Sequence, residues 1–150
     1  MLRFVFALLA ALLLGGPAFA QEEPVVKASR YSVAETADRL QAAIEGNGAT
    51  VIARVDHAAN AETAGMELAP TILMIFGNPM LGTPIMQQNR LAGLDLPMKI
   101  LIWEEDDATK IAYTSPETLR KRWNVEGQDE LFGKMAAGLE KMTNAAAQGE

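Results

Sequence analysis

The sequence predicts an α+β fold, a two-layer arrangement with two long helices packed on one face of an antiparallel sheet. Three observations carry this. Four strand-like segments follow one another between residues 49 and 114. Two long amphipathic helical patterns flank them, one opening at Ser32 and the other after Gly127. The two middle segments, Thr71–Phe76 and Met98–Trp103, are apolar at successive positions, which marks strands that need cover on both faces.

Residues 21–26 are a polar lead-in, expected to be mobile. Lys27–Tyr31 reads as a short first strand. Ser32-Val33-Ala34-Glu35 is a capping box, in which Ser32 and Glu35 each satisfy a backbone group at a helix start. Val33, Thr36, Ala37, Leu40, Ala43 and Ile44 then recur at helical spacing, and Gly46-Asn47-Gly48 ends the helix. Ala49–His57 alternates as a strand. Val51, Ala53, Val55 and His57 share one face, assigned to the helices, and Ile52, Arg54 and Asp56 share the other. Ala58–Leu68 is an alanine-rich connection with a helical turn or two.

The insert between Pro79 and Pro97 predicts a short helix capped by Thr83, with Pro84 at its first position and Gly93 at its end. Asp106-Asp107-Ala108 is a turn leading into a strand at Lys110–Thr114. Ser115-Pro116-Glu117 opens a second short helix reaching Trp123. Gly127-Gln128-Asp129 opens the last long helix, whose apolar stripe is Leu131, Phe132, Met135, Leu139 and Met142. Residues 144–150 read as a frayed tail, leaving a single domain at 27–143. Away from the helices the sheet presents Leu73, Ile75, Leu101 and Trp103. Burying four such side chains is worth about 6–12 kcal/mol, so the insert and a second subunit are expected to cover them in a homodimer.

The chain has 19 acidic and 13 basic side chains and no cysteine. Residues 1–20 read as a signal peptide: Arg3, an apolar run at Phe4–Leu14, a Gly15-Gly16-Pro17 break, and Ala18-Phe19-Ala20 as the cleavage site. Cleavage after Ala20 implies a periplasmic or secreted protein of net charge −7. An acidic chain without a basic cluster is a poor nucleic-acid binder. No second apolar run approaches membrane-spanning length, so no membrane association is expected after cleavage. Thiolate metal sites and thiol catalysis are excluded.

Val55-Asp56-His57 followed by Ala61, Pro70-Thr71, Phe76-Gly77-Asn78-Pro79, and Leu96-Pro97 running into Ile102-Trp103-Glu104-Glu105-Asp106 together resemble the DUF302 domain family. The resemblance covers roughly Lys27 to Met142. It implies a β-α-β(4)-α, TBP-like helix-grip arrangement, and it brings no established reaction, substrate or cofactor. Family members usually carry glycine in the hairpin turn where this chain has Ala108, which leaves the turn type open.

His57, the one histidine, suits a general base, a proton-linked switch or a metal ligand, and equally a structural bond at a strand end. An enzymatic reading pairs it with Glu62 or Glu104. Strand alternation sends Asp56 to the opposite face, which argues against an Asp–His dyad. Glu104–Asp107 lacks the spacing of a calcium loop and reads as a solvated hairpin tip. Met80 and Met86, with His57, are the residues a soft-metal (copper) site would use, although no spacing demands one. Asn78, Gln87 and Arg90 are candidate polar contacts on a pocket rim. The leading expectation is a non-enzymatic domain binding a small apolar or ring-containing ligand between helix and sheet, lined by His57, Asn78, Arg90, Trp103 and Glu104, with no cofactor and no bound metal; a structural dimer acting through partners is the blander alternative.

Overall fold

The computed structural model describes residues 23–149. The signal-peptide assignment lies outside the described residues. Strands are β1 Val25–Ser29, β2 Thr50–Asp56, β3 Thr71–Gly77, β4 Met98–Glu105 and β5 Ala108–Tyr113. Helices are α1 Val33–Gly46, α2 His57–Thr63, α3 Pro79–Gln88, α4 Pro116–Arg122 and α5 Asp129–Gln148, and a 3-10 turn spans Arg90–Leu94. The strands form one antiparallel sheet in the order β1-β5-β4-β3-β2. The fold is α+β, as expected, with the long helices α1 and α5 packed against each other beside the sheet.

Local chemistry explains most boundaries. The Ser32 hydroxyl accepts from the Glu35 amide and starts α1. Asp56 plays the same part for α2 by accepting from the Ala59 amide at 2.9 Å, so His57 is the first residue of a helix instead of a strand end. The hairpin between β4 and β5 turns on Asp106 and Asp107, both at positive φ (52° and 59°). That is the backbone of a type I′ turn, whose twist matches the flanking strands. Ala108 already pairs with Glu105 and belongs to β5.

Ile72, Met74, Phe76, Met98, Ile100, Ile102 and Ile111 point toward the helices and are buried with Leu40, Ile44, Leu139 and Met142 in one core. Leu73, Ile75, Leu101 and Trp103 point the other way and are half-buried. The expected parity of β2 holds only in part. The register shifts between Val51 and Ala53, so Val51 pairs with Phe76 on the helix side while Val55 pairs with Leu73 on the open side. Ile52 is the extra residue of this β-bulge. The bulge also turns Arg54 toward the helices, where its guanidinium meets Asp38 of α1.

Three other expectations are corrected. The insert helix starts at Pro79, because the Asn78 side chain caps it by accepting from the Met80 amide; Thr83 and Pro84 lie inside it. The insert does not roof the open face: its buried residues, Ile85 and Ala92, join the helix-side core. Nor are residues 144–148 frayed. They complete α5, with Ala146 and Ala147 buried, Ala147 O accepting from the Arg30 amide, and the Gln148 side chain donating to Ala28 O.

Candidate functional site

At the end of the sheet where β2 begins and β3 ends, the insert stands off from α5 and leaves a cavity of about 630 Å³. Its floor is apolar: Phe76 and Met98 from the sheet, Met135, Leu139 and Met142 from α5. Leu81, Gly82 and Met86 of α3 form one wall, and the Leu96–Pro97 step, a cis peptide bond, forms another. Asn47, Thr50, Asn78, Thr83 and Lys134 supply the polar groups. Lys134 is exposed and ion-paired with Glu130 at 2.7 Å, which lowers the Glu130 carboxyl from its ordinary range. This size and lining fit a small, mostly apolar ligand with one or two polar anchors.

The insert is held in place from behind. Asp95, at the end of the 3-10 turn, accepts from the Trp123 indole N–H at 2.7 Å and from Arg122 Nη1 at 2.8 Å. The Asn89 side-chain Nδ2 donates to Trp123 O at 2.8 Å. Gln88 donates to Glu126 O at 3.0 Å and accepts from the Glu126 amide at 3.2 Å. These bonds fix the cavity's outer wall to the corner between α4 and α5.

Of the five residues named from the sequence, Asn78 lines this cavity. Its side chain is committed to the corner: Oδ1 accepts from the Met80 amide and Nδ2 donates to Gly48 O. Arg90 opens the 3-10 turn and is exposed. His57, Trp103 and Glu104 sit at the opposite end of the sheet. Thr50 pairs with Gly77, and Asp56 with Ile72. The strand between them, at about 3.3 Å per residue, separates His57 from Asn78 by roughly 20 Å. Trp103 is on the open face; Glu104 is on the helix side and exposed. The five do not converge, and the same separation parts His57 from Met80 and Met86.

His57 makes no hydrogen bond or ion pair with Glu62 or Glu104 among the described residues. Around α2 lies a second depression of about 780 Å³, lined by Asp56, Ala58, Ala59, Glu62 and residues 66–72. It is an open groove in which Asp56 and Glu62 stand beside the apolar side chains of Val33, Met66, Leu68 and Ile72, and it encloses a ligand less than the cavity beside α5 does. No group of three or more His, Asp or Glu side chains among the described residues is placed to hold a metal ion. Within the same residues no helix is long and apolar enough to cross a membrane.

Met135, Leu139 and Met142 read in the sequence as a core stripe, and they are buried. The cavity uses their edges, because the insert stops short of covering them. The signal was available in Gly82 and Gly138, both on the cavity wall. A Cβ on Gly138 would stand 3.2 Å from Asn47 Nδ2.

Comparison with known proteins agrees with this architecture. The family model described as "Domain of unknown function DUF302" matches residues 25–148. A solved structure, the uncharacterized conserved protein DUF302 from Bacillus stearothermophilus, superposes with a TM-score of 0.66 at 23% identity, covering 83% of this chain and 94% of that one. Among curated proteins, the fluoride-specific ion channel FluC 1 of Brucella suis biovar 1 (strain 1330) is 43% identical over 122 residues, 79% of this chain and 48% of that protein. FluC 1 of Brucella abortus biovar 1 (strain 9-941) is also 43% identical, with 45% of its length covered. The chain thus spans less than half the length of the curated relatives it matches.

Proposed function

This chain belongs to the DUF302 family, and from that premise we propose that it is an exported, non-enzymatic domain that binds a small apolar or ring-containing molecule in the cavity between the insert and α5. The cavity carries the reading: an apolar floor, a polar rim and an outer wall pinned by the Asp95, Gln88 and Asn89 bonds. Export rests on the N-terminal pattern from Arg3 to Ala20. The non-enzymatic part rests on the separation of His57 from the cavity and on its making no hydrogen bond or ion pair with Glu62 or Glu104 among the described residues.

Anilinonaphthalene sulfonate, an apolar ring system with one anionic group, is a suitable probe. Wild-type protein is expected to bind it with a fluorescence rise that saturates. A Cβ at Gly82 would lie 3.8 Å from Leu96 Cδ1 on the cavity wall, so Gly82→Leu fills the space. This variant is expected to keep its circular dichroism spectrum and lose the dye by at least ten-fold in Kd. Equal binding by a folded Gly82→Leu protein overturns the assignment.

A second reading has its own support. Two of the curated relatives that contain a segment similar to this chain are each named a fluoride-specific ion channel. We therefore also propose that the domain acts beside a membrane ion-transport protein as a partner-binding module. Deleting the similar segment from such a channel and measuring fluoride tolerance of the host tests this. Unchanged tolerance counts against it.

A further inference from the structure

We infer that the open face of the sheet is the interface between two copies of this chain, packed sheet against sheet. The register sets one unbroken apolar row across all five strands: Val26 opposite Ala112, Ala112 opposite Leu101, Leu101 opposite Leu73, and Leu73 opposite Val55. Trp103 and Ile75 extend it on either side. The bulge at Ile52 completes the row, since it brings Val55 to this face. The long helices and the buried residues of the insert all lie on the other side.

The two lysines of the central strands do not break the surface. Lys110 is bound to Glu105, and Lys99 Nζ donates to Asp95 O at 3.2 Å and Pro97 O at 3.1 Å at the rim. Five strands spaced about 4.8 Å apart and about 20 Å long give a footprint of roughly 480 Å² in projection. Side-chain relief adds accessible area to this projected figure; a standard interface takes roughly 800 Å² per partner.

The face is also complementary to itself. A two-fold axis lying in it, across the strands between Leu101 and Trp103, sets Leu101 of one copy against Trp103 of the other. The same axis sets the Lys99 end of one copy over the Lys110–Glu105 pair of the other. A symmetric dimer needs this self-matching, and because each Glu105 is already paired with Lys110, the axis brings no unpaired like charges together at the contact.

Analytical ultracentrifugation of the chain at micromolar concentration tests the inference, with Val26→Glu and Leu101→Glu as variants. Val26 is 51% exposed and lies on the edge strand, so its substitution leaves the fold intact. Wild-type protein is expected to sediment at twice the chain mass, and both variants at half the wild-type value with unchanged circular dichroism. A wild-type monomer at these concentrations overturns the inference, and so does a dimer that survives in a folded Val26→Glu protein. The Gly82→Leu variant should remain dimeric, which keeps this result separate from the ligand assignment.

Discussion

The Trp123 indole N–H donates to Asp95 Oδ2 at 2.7 Å and so ties the insert to the corner between the last two helices. Asp95 is 26% exposed at its side chain and takes a second bond from Arg122. The pair therefore sits at the edge of the core, where a bond to an ionised acceptor keeps much of its strength. Trp123→Phe removes the donor and keeps most of the ring. The expected cost is about 1–2 kcal/mol, read from the urea midpoint. Hydrogen exchange in residues 79–96 is expected to quicken more than exchange in β4.

The hairpin between β4 and β5 holds Asp106 and Asp107 at positive φ, a region that L side chains enter at a cost. Asp107→Gly relieves one of these and removes a charge from a run of four acids. The variant is expected to be more stable by about 0.5–1 kcal/mol, seen as a higher melting temperature.

Lys27 and Glu140 form an ion pair at 2.9 Å between β1 and α5. The hydrogen bond from Lys27, joined by one from Asn144, holds the Glu140 carboxyl below its ordinary range. A depressed folded value means that the pair's stabilisation is present above the unfolded value and is lost as pH falls through the folded one. Wild-type stability should therefore fall more steeply on acidification than that of Glu140→Gln. The difference should shrink in high salt, because Glu140 is exposed.

Ile100 and Leu101 are neighbours in β4 on opposite faces. Ile100 is fully buried among the helices. Ile100→Ala is expected to cost about 2–5 kcal/mol, measured by urea unfolding. Leu101→Ala should cost less than half as much in the isolated protomer.

Much of the fold is legible because its signals are local. Ser32 and Glu35, Gly46-Asn47-Gly48 and Ser115-Pro116 mark helix ends by side-chain chemistry that needs no tertiary partner. The alternation in β3 and β4 separates Leu73 and Leu101 from Met74 and Ile100 directly. The bulge at Ile52 is not legible, since an extra residue in one strand is visible only against the strand it faces. Nor is the docking of Ala146 and Ala147. Small side chains leave a faint periodic signal, and their burial comes from the close approach of α5 to β1. The cavity was half legible. Asn78-Pro79 and the insert point to the right end of the sheet, whereas His57, Trp103 and Glu104 lie a strand's length away, a distance that no local pattern in the sequence encodes.

The Arg30 amide bonds Ala147 O at 3.1 Å, and the Gln148 side chain reaches Ala28 O at 3.2 Å. The opening ribbon and the closing helix are thus stitched into one seam, and Gln148 lies three residues along β1 from Val25, a span of about 10 Å. A unit whose entry and exit emerge side by side is easily spliced into a longer polypeptide, because no linker has to cross its body. That geometry accords with finding a similar segment as less than half of each Brucella channel protein.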